Sequence, residues 1–335
     1  MHQRKLKFGR QKEITDGRRH SSTLMELWQS VVLACLLTVL TSGIYCCGLT
    51  SFAIYNSSMY KNSFGCLTFY KCTVSVVLLL IILCWTIPCF LWRLDNTLQT
   101  LNIRLGQFIM GLTLPIYISN TLISFSRMLT VAFSSKMHWT SIKNVRIMLL
   151  VLSAFCVPYS FIYSTYDCAL MFSSTDLLFH FAHSTCAELL SLYVDFIFGV
   201  TIFTASFVMD VVSVIHLRKM RKRIADTLSA NKNQQRYKKE VLMTIQTFVN
   251  TILCYLMLCG YHVFSNWIQL SPILTFLSTN FLWCLVVASG GYSAVLFNAD
   301  VRRVALHPLK LISRGVRPNS PNTSATPHIR AWSHK

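Results

Sequence analysis

VSVVLLLIILCW, residues 74–85, stands inside a mainly apolar stretch that runs from Leu67 to Trp92 and carries a proline, Pro88, near its end. The hydrocarbon core of a bilayer is about 30 Å thick, so a helix rising 1.5 Å per residue crosses it with about 20 apolar residues. Hydrocarbon offers no partner for backbone N–H and C=O groups, so such a stretch must be helical, and a proline is tolerated there as a kink. Working outward, six more stretches of this kind lie at 27–51, 105–133, 146–165, 189–215, 241–264 and 273–297, with Pro115 and Pro158 inside the third and fourth. The expected fold is therefore all-α, a bundle of seven transmembrane helices. Composition agrees: the 335 residues are 53% hydrophobic and 13% charged, whereas soluble domains carry about 25% charged residues.

Basic residues set the expected orientation. An extracellular N-terminus leaves nine of the 31 Lys and Arg outside, at positions such as Arg4, Arg19, Arg93 and Arg104, and puts twenty-two inside, Lys71 among them. The positive-inside rule then favours N-out and C-in, with the basic N-terminus dissenting. The domain reading that follows is a basic extracellular arm over 1–26, a seven-helix bundle over 27–297 and a cytoplasmic tail over 298–335. The Ser/Pro/Asn/Thr-rich composition of 318–327 predicts disorder after about 317. No apolar core precedes the first span, so no removable signal peptide is expected. The net charge of +19 does not call for nucleic acid, because cytoplasmic basic loops and anionic membrane lipids already account for it. The loop from Leu217 to Glu240 holds nine basic residues against Asp226 and Glu240, and lipid headgroups attract each at roughly 1 kcal/mol.

Thirteen cysteines are scattered through the chain, most of them small packing residues. Cys168 and Cys186 differ, since they flank FSSTDLLFHFAHST between the fourth and fifth spans on the side expected to be oxidising. A bridge there closes a loop of about 17 residues and contributes about 3 kcal/mol; the other reading is two free, buried thiols. His180 and His183 share that loop with Asp176, but solvated histidines explain the spacing better than a metal does. The absence of HExxH, GxSxG, a glycine-rich phosphate loop and paired carboxylates argues against an enzyme, and no cofactor is expected.

Charges inside a membrane cost about 2.5–3.5 kcal/mol each on insertion scales, so the few present call for a role. Arg127, near the end of the third span, either snorkels to the inner face or holds a contact that opens on activation. Asp195 lines a pocket or reaches interfacial water, and Asp210 is placed to pair with a cation at the inner face. Gly290 and Gly291 are expected to loosen the seventh helix.

KNSFGCLTFYKC (61–72) leading to Pro88, SFSRMLTVAF (124–133), the Cys168–Cys186 spacing followed by Asp195, RYKKEVLMTIQ (236–246) and LFNADVRR (296–303) occur in an order that resembles the nematode serpentine chemoreceptors of class x, rhodopsin-like G-protein-coupled receptors. The resemblance covers about residues 45 to 303. It departs at YCCGLTSF (45–52), which lacks the family's Asn, at Ser126 in place of Asn, and at Gly290-Gly291 in place of Asp-Gly. It implies a chemosensory receptor of the plasma membrane, in a neuron's sensory cilium, that binds a small molecule and signals through a heterotrimeric G protein. The implied coupling surface comprises Ser126, Arg127, Arg218, Lys219, Arg221, Lys222, Arg223, Asn298, Arg302 and Arg303. The ligand pocket would draw on Tyr117, Asp195, Tyr193, Tyr261 and Trp283, with Phe161 and Phe264 nearby. The alternatives are a seven-helix protein that no longer signals and a transporter; an odd span number and so few buried charges disfavour the latter.

Overall fold

The computed structural model describes residues 2–56, 60, 62–132, 141–225, 230–264, 271–298 and 301–302. Seven helices are long and apolar enough to cross a membrane. They are α1 (His2–Tyr55), α2 (Ser63–Trp92), α3 (Gln99–Ala132), α4 (Ile142–Phe161), α5 (185–225), α6 (230–264) and α7 (Pro272–Phe297). The basic segment that the sequence sets apart as an arm continues the helix of α1 from His2. The disorder expected after 317 and the position of Arg303 lie outside the described residues.

Neighbouring helices in the bundle follow the order α7, α1, α2, α3, α5, α6 and back to α7, with α4 packed outside α2 and α3. Burial inside the protein is 61% over the apolar window of α3 and 22% over that of α4; α3 is thus the central post and α4 a peripheral one. Outward side chains of α4, such as Leu150 and Val151, are exposed on the apolar surface, as expected where the solvent is lipid. The core joins Leu40, Leu78, Ile82, Ile109, Phe203, Met257 and Val287 from six helices.

Two close approaches depend on glycine. A Cβ on Gly291 would stand 2.5 Å from the backbone nitrogen of Cys47, so α7 and α1 meet backbone to backbone, a small-residue contact common in membrane bundles. Gly290 and Gly291 are therefore packing sites in a continuous helix, not the loosening that the sequence suggests. A Cβ on Gly106 of α3 would collide with the Leu170 carbonyl, which seats the connection between α4 and α5 on α3.

That connection is not an open loop. Leu170–Ser173 (β1) and Leu178–Phe181 (β2) form an antiparallel hairpin in which Phe172 faces Phe179, with Leu177 in the left-handed region at φ 57°. Cys168 and Cys186 are joined by a disulfide, their Cα atoms 5.2 Å apart, at the foot of the hairpin. Leu170, Phe172 and Phe179 point inward and are buried, so the hairpin plugs one end of the bundle.

Lys71 also departs from the reading of the sequence. It lies within α2, 2% exposed, and its Nζ donates to Asn120 Oδ1 of α3 at 3.0 Å. It is an interior cation, not a member of a basic loop, and the orientation count loses it.

Candidate functional site

The hairpin is fastened to the bundle by polar side chains of α3, α6 and α7 and by Asp95 in the short segment between α2 and α3. Asn102 of α3 accepts from Trp85 Nε1 at 3.0 Å and from Phe172 N at 3.0 Å, and donates to the Phe172 carbonyl at 2.8 Å. Asp95 accepts from the backbone N–H and the hydroxyl of Ser174. Asn280 of α7 donates to the Leu177 carbonyl at 2.8 Å, and the Tyr261 hydroxyl of α6 donates to the Phe179 carbonyl at 2.6 Å. Backbone groups that would be orphaned in an apolar setting thus find partners, without which each would cost about 1–3 kcal/mol.

Beneath the hairpin lies a small cavity with about 30 Å³ of free space, enough for water. Met110, Thr113 and Tyr117 of α3 form one wall, Asp195 of α5 and Met257, Leu258 and Tyr261 of α6 another, and Trp283 of α7, Leu170 and Phe181 complete it. Asp195 bonds His262 Nε2 of α6 at 3.1 Å, with side-chain exposures of 17% and 9%. Both partners sit where a helix widens to π-type turns, at Leu190–Ile197 and Cys259–Phe264, and a third such stretch, Leu277–Phe281, holds Asn280. Extra residues of this kind shift a helix's phase and cluster at functional sites.

Four of the five side chains named for a pocket from the sequence, Tyr117, Asp195, Tyr261 and Trp283, come together here. Tyr193 does not: it is 57% exposed on the outside of the bundle, because two positions on a helix turn about 200° and put it on the face opposite Asp195. Phe161 and Phe264 likewise face outward. His180 and Asp176 approach to 3.7 Å on the exposed side of the hairpin. Partial burial lowers the His180 pKa below its ordinary value, while Asp176 acts in the opposite direction. Cys186 is committed to its disulfide, and among the described residues no group of His, Cys, Asp and Glu suits a metal.

At the opposite end of the bundle the central charge is Arg127. It is 5% exposed, its Nη1 lies 2.7 Å from Glu240 Oε2 of α6, its Nη2 contacts Met243 Sδ, and its guanidinium stacks 3.8 Å over the Phe64 ring. This is a buried contact between helices and not a snorkelling side chain. Asp210 is fully buried and accepts from the hydroxyls of Thr247 at 2.9 Å and Thr251 at 3.1 Å. It ties α5 to α6 through neutral donors, and among the described residues no cation pairs with it as the sequence leads one to expect.

Ser126 is buried with its hydroxyl 3.5 Å from that of Ser63. Arg218, Lys219 and Arg221 are exposed on α5, and Arg218 and Arg221 line a groove of about 580 Å³ against Tyr237 and Thr244 of α6. Lys222 and Arg223 continue the same helix. Asn298 closes α7, and Arg302 turns back to donate to the Leu296 carbonyl.

Sequence reasoning assigned no role to Asn102, Asn280, His262 or Glu240. The two asparagines and the histidine are polar residues in apolar runs, the only signal available for them. Glu240, quoted within RYKKEVLMTIQ, reveals its partner only when α3 and α6 are packed.

Seven membrane-spanning helices, a plugged cavity at one end and a charged contact between α3 and α6 at the other define the serpentine-receptor class. The chain belongs to the family described as Serpentine type 7TM GPCR chemoreceptor Srx, which it matches over residues 37–298. That is a class of chemoreceptors and not an enzyme family. Comparison with individual curated proteins gives no match.

Proposed function

We infer that the protein is a chemosensory receptor of the plasma membrane, in a sensory cilium, which binds a small molecule beneath the hairpin and activates a heterotrimeric G protein. The N-terminus and the hairpin face outside, and the end holding Arg127 faces the cytoplasm. The observation that carries the reading is that the cavity and the Arg127–Glu240 pair share the same two helices: Tyr117 and Arg127 lie on α3, Tyr261 and Glu240 on α6. A ligand that moves α6 against α3 at the cavity changes the separation of the paired charges.

In the arrangement seen, the pair holds the cytoplasmic ends of α3 and α6 together. Its opening frees Arg127 to act for the partner together with Arg218, Lys219, Arg221, Lys222, Arg223, Asn298, Arg302 and Arg303, the residues that the family resemblance assigns to coupling. A ligand shifts such an equilibrium only by its difference in affinity for the two arrangements. The basic surface also holds anionic lipids, which Arg and Lys attract through the same charge.

Glu240→Gln should raise ligand-independent G-protein recruitment about five-fold or more, the lower end of ordinary coupling energies. Arg127→Ala should abolish recruitment at matched surface level, and Arg127→Lys should restore part of it, because Lys lacks the planar fork. Equal recruitment by wild type, Arg127→Ala and Arg127→Lys would remove the pair from the mechanism. A chain that reaches the surface and never recruits a G protein would instead favour the vestigial alternative.

A further inference from the structure

The chemistry of the cavity wall points to the class of ligand it accepts. The hydroxyl protons around it are already committed: Thr113 donates to the Ile109 carbonyl at 2.8 Å, Tyr117 to Met257 Sδ at 3.4 Å and Tyr261 to the Phe179 carbonyl at 2.6 Å. The walls therefore offer few hydroxyl donors, while Thr113 and Tyr117 retain oxygen lone pairs and Asp195 contributes a carboxylate. Asp195 is the one formal charge among the cavity's described lining residues. Around it stand Tyr117, Tyr261 and Trp283, whose ring faces attract cations and not anions.

The cavity's neighbour supplies the room. A groove of about 560 Å³, in the range of small-molecule sites, lies between α5 and α6 and is lined by His183, Glu188, Phe196 and His262. Phe181 lines both spaces. Asp195 faces the cavity and His262 the groove, and the two are bonded at 3.1 Å. Cavity and groove thus meet at Phe181 and at the His262–Asp195 pair. Glu188, exposed at the groove, adds a second carboxylate on the approach.

We propose that the site takes a small protonated amine, whose ammonium group displaces His262 from Asp195 while its apolar body occupies the joined cavity and groove. A carboxylate ligand is repelled by Asp195, and a neutral one has too little to offer to replace His262, whereas an ammonium brings three donors and a charge to an acceptor-rich wall. The displacement couples binding to the motion of α6 that carries His262. This proposal rests on the reading of the cavity as the ligand site.

The test uses the full chain with matched sets of probes: isopentylamine, isopentanol and isovalerate, and phenethylamine, phenethyl alcohol and phenylacetate. Binding is read from thermal shift in nanodiscs and signalling from G-protein recruitment in cells. The amines should bind and the matched alcohols and acids should not. Asp195→Asn should raise the half-saturating amine concentration roughly ten- to a hundred-fold, the worth of a charged hydrogen bond, and Asp195→Glu should recover part of the loss. His262→Asn, which weakens the competitor, should lower that concentration. Binding of alcohols or acids in preference to amines, amine binding indifferent to Asp195→Asn, or no amine effect in either assay overturns the proposal. Amine binding without recruitment upholds the ligand class and overturns the signalling reading instead.

Discussion

Asn102 shows how much one side chain can hold in this protein. Its amide joins α2, α3 and the hairpin through Trp85 and both backbone groups of Phe172. Asn102→Leu leaves three buried polar groups unpaired at about 1–3 kcal/mol each. Purified Asn102→Leu protein should therefore melt several degrees lower and lose ligand response; an unchanged melting temperature would show that the hairpin is held elsewhere. Of these residue-scale facts the sequence makes legible only that a charge or amide in hydrocarbon needs a partner. It singles out Arg127, Asp195 and Asp210 as charges that need a role, yet it pairs Asp210 with a cation where Thr247 and Thr251 serve. Partner identity depends on which helices touch, and one-dimensional spacing does not contain that. Lys71 misleads for the same reason: a basic residue near a span's end looks like a loop residue until Asn120 is brought to it.

At the scale of the element, the hairpin closes the cavity and the disulfide closes the hairpin. A bridge spanning 18 positions stabilises by about 3 kcal/mol in the chain-entropy account. Non-reduced digests of surface-delivered protein should yield one peptide pair linking Cys168 to Cys186, and Cys168→Ser should lower the melting temperature. Both cysteines recovered as free thiols would contradict the fold of this segment. Helices were legible from apolar length alone, since hydrocarbon leaves the backbone no other choice. The hairpin carried a weaker signal, the period-two placement of Leu170 and Phe172, then Phe179 and Phe181, around the turn at 174–177. The widened turns had no signal, whereas the spacing of Tyr193 and Asp195, about 200° apart on a helix, already turns one outward when the other faces the cavity.

For the whole molecule, the proposed function rests on the central position of α3, which would make two distant sites one device. It bears Tyr117 toward the cavity and Arg127 toward Glu240, and α6 faces it at both levels. A ligand's effect at one end has meaning at the other only if the hairpin lies outside the cell and the Arg127 end inside it. The charge asymmetry that supports this orientation is opposed by the basic residues before α1. Orientation is therefore the claim on which cavity, ion pair and partner surface jointly depend. Epitopes placed ahead of His2 and at Asn319 measure it directly in cells expressing the full chain. The N-terminal epitope should stain intact cells, and the Asn319 epitope should stain only after the membrane is permeabilised; the reverse pattern would put the cavity in the cytoplasm and contradict the receptor account.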